Sequence, residues 1–445
     1  MKRREFVVSG LALASLSACG GGEGQSVDNS GTSGPVAKQN RYVQANLAAS
    51  NASYRAKFVL PDMVSAWGIA IRPAGAGGHF WVGAGGSSWQ FIGDVRQSTN
   101  PALREINVDQ LKRINPAVGT SAVDGTRLGN TTGVVFNAAP LWGGDLASTK
   151  FAVSPSLPNA PQVVGNVTME GGARFVFVSD TGLLSAWTER RADTGGILRE
   201  DGNAQLIYDG GTADGSAYFG VAMKTDTNDT LWVVDFGSSP QIRQFDAQWN
   251  LVPTLGFTNP FGTGAAGAIK PGDFVPFNIQ TIGTKVYVTY AKSRVSETDV
   301  NAFFAGEEDS LSPEAEKLSG LQPNRGRLVE YDLNGNQTRI FADEKHLNAP
   351  WGLALAPNNF GLFSGALLVA NFGGAGYISA FDPATGKFLG YLRGMDSGFV
   401  AVAGVWGLLF GNGASLGDTD ALYFAAGPEG GEPAGLFGSL RYAPV

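Results

Sequence analysis

Short apolar runs separated by turn residues repeat along the chain, and the section Ala349–Leu392 shows this pattern most clearly. Its runs are WGLAL, ALLVAN, YISAF and KFLGYL, and the breaks between them contain Pro, Gly, Asn or Asp. These residues favour tight turns because they fix φ or tolerate positive φ. Each run has the length of a strand, so the section predicts four antiparallel strands in a meander, which is one blade of a β-propeller.

The first run of this section has counterparts elsewhere in the chain. Glycine occupies the second place in five of the six openings, and Asn278 takes that place in the remaining one. The innermost strands of a propeller converge on its axis, where crowded backbones favour a residue without Cβ. We therefore predict an all-β fold with six blades, whose other inner strands are Trp67–Ile71, Thr132–Phe136, Phe219–Met223, Phe277–Thr281 and Trp406–Phe410.

The last predicted blade has one strand too few. It offers the runs WGLLF, ALYFAA and GLFGSLRY before the chain ends, whereas RYVQANL at 41–47 alternates like a strand ahead of the first blade. Pairing the two ends of the chain would remove two exposed sheet edges. We expect Tyr42–Leu47 to complete the last blade and close a propeller that spans residues 41–445.

Composition narrows the possible partners and cofactors. Charged residues make up 16% of the chain, the net charge is −7, and basic residues cluster only in the first four positions. A nucleic-acid-binding surface needs a basic patch, so nucleic acid is not an expected partner. The two histidines and the single cysteine also leave no set of ligands for zinc or copper.

The N-terminus is typical of an exported lipoprotein. Lys2, Arg3 and Arg4 precede a short apolar segment, and Leu16-Ser-Ala-Cys19 resembles the lipobox that is cleaved before a lipidated cysteine. We expect residues 1–18 to be a signal peptide, Cys19 to anchor the protein to a membrane, and residues 19–40 to be a flexible tether. This predicts a bacterial cell-envelope protein, periplasmic or at the cell surface. A chance cysteine after a Sec signal and twin-arginine export through Arg3-Arg4 are the alternatives.

One set of side chains could form a binding site on a single face of the propeller. The starts of the inner strands and the loops between second and third strands lie on that face. Aromatic rings with inward amides and carboxylates suit a funnel for a small molecule, a glycan or a protein. The alternative is that the aromatics are core and that the Asp and Asn side chains cap turns. The residues concerned are Trp67, Phe219, Phe277, Asn278, Trp351 and Trp406 at strand starts, and Asp180, Asp235, Tyr290 and Asn371 in loops.

A metal-dependent enzyme is the alternative function. Side-chain oxygens of Asp235, Asn278 and Asn371 could ligate Ca²⁺ at the propeller axis. The chain would then be a calcium-dependent hydrolase of the lactonase or esterase kind, an analogy that rests on the fold alone. Without that ion, no cofactor is expected.

A long insert interrupts the fourth blade between its second and third strands. This segment, Lys292–Arg325, is acidic, and Pro313 followed by early glutamates predicts a short helix. Loops of this length inside a compact domain are usually lids or binding loops. We expect the insert to fold over the mouth of the funnel. Its acidic residues are Glu297, Asp299, Glu307, Glu308, Asp309, Glu314 and Glu316.

Several segments resemble a family of uncharacterised bacterial exported proteins, many of which carry a C-terminal sorting signal of the PEP type. The resemblance spans 41–445 and implies a fold similar to six-bladed NHL propellers, with no established activity. Ala375 and Tyr377 replace the Asp and Arg of the family pattern NFGDGRI, and no sorting signal precedes Val445. The matching segments are VPFNIQTI with KVYVTYAK at 275–292, residues 347–392, GVWGLLFGNG at 404–413 and LYFAAGPEGGEPAGLFGSL at 422–440.

Overall fold

The computed structural model describes residues 39–119, 128–341, 344–428 and 434–444. The signal peptide at 1–18, Cys19 and all but the last two residues of the predicted tether lie outside these ranges. Six sheets contain four strands each in simple order, and the strand that starts each meander is the innermost. Within the described residues, no helix is both long enough and apolar enough to cross a membrane.

The first three blades follow the predicted order of strands. Blade 1 contains Ala66–Ala70, Phe80–Ala84, Ser87–Ile92 and Asn107–Asn115. Blade 2 contains Thr131–Phe136, Phe175–Ser179, Leu183–Trp187 and Gln205–Asp209. Blade 3 contains Tyr218–Met223, Thr230–Asp235, Gln241–Asp246 and Leu251–Val252.

Blades 4, 5 and 6 also follow the predicted order of strands. Blade 4 contains Phe274–Ile282, Lys285–Val295, Gly326–Asp332 and Gln337–Ile340. Blade 5 contains Pro350–Leu355, Leu367–Asn371, Ile378–Phe381 and Phe388–Tyr391. Blade 6 contains Val405–Phe410, Ala421–Ala426, Leu436–Tyr442 and, from the N-terminus, Tyr42–Ala49.

Short elements decorate these sheets. Additional strands are Phe58–Val59, Ala152–Val153, Val163–Val164, Val167–Thr168, Gly171–Gly172, Gly202–Asn203 and Phe303–Glu308. The α-helices are Gly210–Asp214 and Pro313–Leu318, and the 3₁₀ turns are Ala52–Tyr54, Pro101–Leu103, Ala265–Gly267, Glu344–His346 and Gly361–Phe363. Gly202–Asn203 pairs with the end of the outer strand of blade 1. The outer strand of blade 1 therefore has a second partner at its end, where Ile114 and Asn115 pair with Gly202 and Asn203.

The two ends of the chain close the ring as predicted. Tyr42–Ala49 pairs antiparallel with Leu436–Tyr442, with Tyr42 opposite Tyr442 and Ala49 opposite Leu436. The inner strand of blade 6 also contacts the inner strand of blade 1. Gln39 and Asn40, which the sequence assigns to the tether, bond to the propeller, since Asn40 donates to the carbonyl oxygen of Tyr391 at 2.8 Å.

Close approach between neighbouring inner strands explains the glycine pattern. A Cβ built on Gly352 would lie 2.1 Å from the carbonyl oxygen of Trp406, and one on Gly407 would lie 2.6 Å from that of Trp67. Atoms at these distances overlap, so a side chain at either position would push two blades apart. The apolar core lies mainly in the layers between adjacent blades, and a separate aromatic cluster occupies the axis.

Candidate functional site

The five aromatic residues predicted to line a funnel pack against one another at the propeller axis. Trp67 and Trp406 are stacked with ring centroids 3.8 Å apart, and Trp351 meets Trp406 edge-on at 5.8 Å. Phe219 and Phe277 complete the group, and all five are at most 8% exposed. We call these five residues the aromatic plug. The packing matches the core alternative stated above, and direct ligand binding by the plug stays a prediction.

A hydrogen bond across the axis and a further ring stack hold the plug in place. The indole Nε1 of Trp351 in blade 5 donates to the carbonyl oxygen of Phe219 in blade 3 at 3.2 Å. Phe372 stacks on Trp406 with centroids 4.0 Å apart. A buried indole N–H needs an acceptor, and here a backbone carbonyl from another blade supplies it.

Asn278 stands at the position where the inner strands of the other five blades have glycine. Its amide Nδ2 donates to the carbonyl oxygen of Trp351 at 2.8 Å. Two residues later, Gln280 bonds to Leu353 in both directions, with its amide nitrogen on the carbonyl oxygen at 2.7 Å and its amide oxygen on the backbone N–H at 3.2 Å. Side-chain amides therefore bridge the inner strands of blades 4 and 5. In other pairs of neighbouring blades, the backbones of the inner strands approach each other directly.

A channel extends from the aromatic plug along the inner strands. Its volume is about 320 Å³, and its lining runs from Trp351 and Asn278 to Ile71, Phe136 and other residues at the far ends of the inner strands. None of the described residues that line it is charged. The plug thus separates this channel from the face on which the sequence predicted the funnel.

Asp235 is fully buried, and its carboxylate is surrounded by donors from its own blade. Arg243 Nε donates to one oxygen at 2.8 Å, and Ser216 Oγ donates to the same oxygen at 2.8 Å. The backbone N–H groups of Ala217 and Gly237 donate to the other oxygen at 3.0 and 2.9 Å. This carboxylate ties the loop after the second strand of blade 3 to the start of its inner strand.

The other predicted loop residues are also bonded locally. Asn371 accepts from the backbone N–H of Asn348 at 2.9 Å and donates to the carbonyl oxygen of Tyr377 at 2.9 Å. Asp180 accepts from the backbone and the amide of Asn130 at 2.7 and 2.8 Å. Tyr290 lies in the layer between blades 3 and 4, where its hydroxyl contacts that of Tyr331 at 2.5 Å and burial raises its pKa.

These contacts do not fit a calcium ion. A calcium site needs six to eight oxygen ligands, and the oxygens of Asp235 and Asn371 are already occupied by N–H and O–H donors of the protein. Asn278 turns its amide nitrogen to Trp351. Among the residues that the structure describes, no group of three His, Cys, Asp or Glu side chains is placed to hold a metal.

The insert Lys292–Arg325 lies against the aromatic plug. Its first part continues the second strand of blade 4 and pairs with Phe303–Glu308. The backbone N–H of Gly306 donates to the carbonyl oxygen of Phe236 in blade 3 at 2.9 Å, and Phe303 packs against the axial cluster. The insert therefore covers the end of the axis that the plug fills.

The second part of the insert docks on blade 5. Leu311 and the side-chain amide of Asn348 exchange two hydrogen bonds of 3.0 Å each. Ser312 caps the helix Pro313–Leu318, and Glu316 in this helix is buried and accepts from the backbone N–H of Ala375 at 3.0 Å. Burial raises the pKa of Glu316, and hydrogen bonds from the Ala375 N–H and the Asn348 amide only partly oppose this effect.

The outward side of the insert is apolar and acidic. Leu318 is 88% exposed and Val300 is 75% exposed, which makes them the two most exposed large apolar side chains in the described part of the chain. Lys292 and Arg325 contact Asp309, whereas no ion pair within the described ranges involves Glu297, Asp299 or Glu314. We call Val300, Leu318 and these three acids the outer surface of the insert.

The opposite face carries a charged cluster that sequence reasoning missed. There, Arg72, Arg174 and Arg199 all contact Glu189. Arg72 lies more than a hundred residues before the other three, and the four residues share no motif. The one available signal was the length of the two loops in blade 2 that end near Arg174 and begin near Glu189.

Comparisons with known proteins found similar sequences that are described only as uncharacterised. No family model matches the chain. Three similar proteins, each described as uncharacterised, come from Acanthamoeba polyphaga mimivirus. One is 26% identical over 82% of this chain and 72% of its own length. The second is 29% identical over 48% of this chain and 49% of its own length. The third is 30% identical over 43% of this chain and 31% of its own length.

Among solved structures, the WD40 domain of Neurospora crassa Pan2 is similar at 9% identity, with a TM-score of 0.39, over 91% of this chain and 97% of that domain. A likeness at this level has no bearing on function. The strand order and the closed ring define the protein as a six-bladed β-propeller. The similar proteins found are viral, so they give no support to the resemblance to bacterial exported proteins.

Proposed function

We propose that this propeller is a protein-binding module, tethered to the bacterial envelope through a lipid on Cys19, and that its partner docks on the outer surface of the insert. The observation that carries the proposal is that the two sides of the insert Lys292–Arg325 differ. Its inner side seals the aromatic plug, while Val300 and Leu318 face solvent.

The apolar side chains on this surface would gain from a partner. Burying a Val or Leu side chain contributes roughly 1.5–3 kcal/mol relative to leaving it in water. Apolar residues within a polar rim mark interaction sites more often than scattered single residues do. Val300 and Leu318 lie on the same insert, between acids that have no ion pair in the described part of the chain.

The charge of the surface indicates the chemistry of the partner. Glu297 and Asp299 precede Val300 by three residues and one residue, and Glu314 lies four residues before Leu318 in the same helix, so negative charge accompanies each exposed apolar side chain. Electrostatic complementarity speeds association and selects among partners. The expected partner is therefore a protein that presents a basic and apolar surface, such as an amphipathic segment rich in Lys or Arg.

The anchoring and the location rest on the sequence of residues 1–19, which precede the described residues. A lipid on Cys19 and the tether that follows would hold the propeller at a membrane surface while leaving the insert accessible. The small-molecule and glycan alternatives would require the insert to leave the plug, since Gly306 and Phe303 pack there.

Crosslinking in cells that express the protein tests the proposal. The variant V300S/L318S removes the exposed apolar groups and leaves the fold intact, because neither side chain is packed. Leu255→Ser is the matched control, since Leu255 is 71% exposed and lies outside the insert. We expect the same crosslinked protein with the wild type and L255S, and its loss with V300S/L318S. Equal capture by all three would refute the assignment of the surface.

A further inference from the structure

Three arginine side chains converge on one carboxylate at the face opposite the insert. Arg72 forms a fork with Glu189, with nitrogen–oxygen distances of 3.1 and 2.6 Å. Arg174 Nε donates to one of these oxygens at 3.2 Å, and Arg199 Nε donates to the other at 2.6 Å. Each oxygen of Glu189 thus accepts two N–H groups.

The topology explains why these residues meet. Arg72 follows the inner strand of blade 1, and Arg174 precedes the second strand of blade 2. Glu189 follows the third strand of blade 2, and Arg199 lies in the loop that leads to the fourth. All four positions are at the same end of their blades, where the cluster joins blade 1 to blade 2.

The cluster holds more positive than negative charge. The side chains of Arg72 and Glu189 are 5% and 3% exposed, and that of Arg174 is 13% exposed. Burial lowers the pKa of Arg174, and the positive charges of Arg72 and Arg199 lower it further against the opposing effect of Glu189. Since charges at low exposure are costly unless they are balanced, three guanidinium groups beside one carboxylate favour a second anion.

The arginines also have donors to spare. In the described part of the chain, Arg199 donates only through Nε, and Arg174 only through Nε and Nη1, the latter to the carbonyl oxygens of Asn137 and Ala139. Arg72 Nε is buried without an acceptor. The fork from Arg72 alone would satisfy Glu189, so joining two blades does not require the other two arginines.

We propose that Arg174 and Arg199 bind an oxyanion, carried by a phosphate or a carboxylate group, on the solvent side of Glu189. Arg199 is the point of entry, because its side chain is 41% exposed while the rest of the cluster is buried. Planar guanidinium groups with adjacent N–H donors match the oxygens of such anions in pairs. Glu189 and Arg72 act as positioning residues, since they hold the two binding arginines in place.

Calorimetric titration of the purified full chain with inorganic phosphate, and separately with acetate, tests this site. Sodium chloride keeps the ionic strength constant, which removes general screening. We expect saturable binding of at least one anion and a rise in melting temperature with its concentration. Phosphate binding alone assigns a phosphoryl ligand, acetate binding alone assigns a carboxylate, and binding of neither overturns the proposal.

Two variants locate the binding. Arg199→Gln should fold normally, given its exposure, and should weaken binding at least 10-fold. Arg199→Lys keeps the charge without the fork and should bind with intermediate affinity. Arg191→Gln is the matched control, since Arg191 lies on the same loop and pairs with Asp193 at 2.7 Å. Equal weakening by R199Q and R191Q would show nonspecific attraction to the loop and would also overturn the site.

Discussion

The amide of Asn278 donates to the carbonyl oxygen of Trp351 at 2.8 Å, across the gap between the inner strands of blades 4 and 5. It does so at the one inner-strand position where the repeat lacks its glycine. Asn278→Gly would restore the repeat and remove the bond. We predict a loss of roughly 1–3 kcal/mol in the free energy of unfolding, because a buried carbonyl loses its donor.

Chemical denaturation checks this prediction, with Asn278→Asp as a second variant. Aspartate keeps the size of the side chain but replaces the N–H donor by an oxygen that faces the carbonyl of Trp351. It should be less stable than N278G at neutral pH. Equal or greater stability of N278G relative to the wild type would show that the amide bridge contributes nothing.

The closing strand Tyr42–Ala49 should be essential for stability. Deleting residues 39–49 exposes the edge of Leu436–Tyr442 along its whole length and removes the buried Tyr42. We expect a large fall in melting temperature and a tendency to aggregate, because an exposed edge pairs with other chains. Deleting residues 20–38 is the control and should leave the melting temperature unchanged.

Breaking the buried pair of Arg243 and Asp235 should lower the free energy of unfolding far more than breaking a surface pair does. Arg243→Ala leaves a carboxylate with 0% exposure without its cation, which costs roughly 3–5 kcal/mol in such cases. Arg191→Ala, which breaks the exposed pair with Asp193, should cost far less, because solvent screens the attraction between exposed charges. Urea unfolding of the two variants measures the difference, and similar costs would contradict the prediction.

The insert should dock more firmly at acidic pH. Burial raises the pKa of Glu316, and its surroundings from blade 5 are the Ala375 N–H, the Asn348 amide and the hydroxyls of Tyr377 and Tyr391. A carboxyl group with a raised pKa in the folded state binds its proton more tightly there than in the unfolded state. Its contribution is therefore complete below the unfolded pKa and is lost as pH rises through the folded pKa.

Hydrogen exchange of residues 303–320 at several pH values measures this effect. Exchange corrected for its intrinsic pH dependence should increase as pH rises above 4.5, the ordinary value for a glutamate. Glu316→Gln keeps an acceptor for the Ala375 N–H without the charge, so its protection should not depend on pH in this range. The same pH dependence in the variant would assign the effect to another group.

Lipidation at Cys19 has a direct test. Cys19→Ala should leave the signal peptide uncleaved or release the protein from the membrane fraction, because each buried CH₂ of a lipid chain contributes about 0.8 kcal/mol to membrane binding. Fractionation and intact mass measure both outcomes. Unchanged mass and membrane association would rule out the anchor.

The fold could be predicted from the sequence because its signals are local and repeated. The apolar runs and the turn residues recur in each blade, the inner glycine recurs in five of the six, and the missing strand of the last blade indicated how the ring closes. The steric role of Gly352 follows from the same reasoning, since every inner strand must approach its neighbour.

The site was harder to predict because the same residue types serve core and ligand binding. Trp351 and Trp406 are positioned at the axis as expected, yet only three-dimensional packing shows that they fill it. The partner of Asp235 is Arg243, which lies on the next strand and carries no motif. Glu189 binds Arg72, which lies more than a hundred residues earlier in the chain, and the hydrophobic periodicity gives no sign of this contact.

The pairing of residue 42 with residue 442 also sets the order of events during biosynthesis. The first strand of the propeller must wait for its last strand, so the ring stays open until residues 436–442 have been made. During this interval both blade edges resemble the aggregation-prone edges of partly folded intermediates. Until the strand at 436–442 is available the propeller is an open arc of blades, and the pairing of this strand with residues 42–49 is the event that converts the arc into a closed circle.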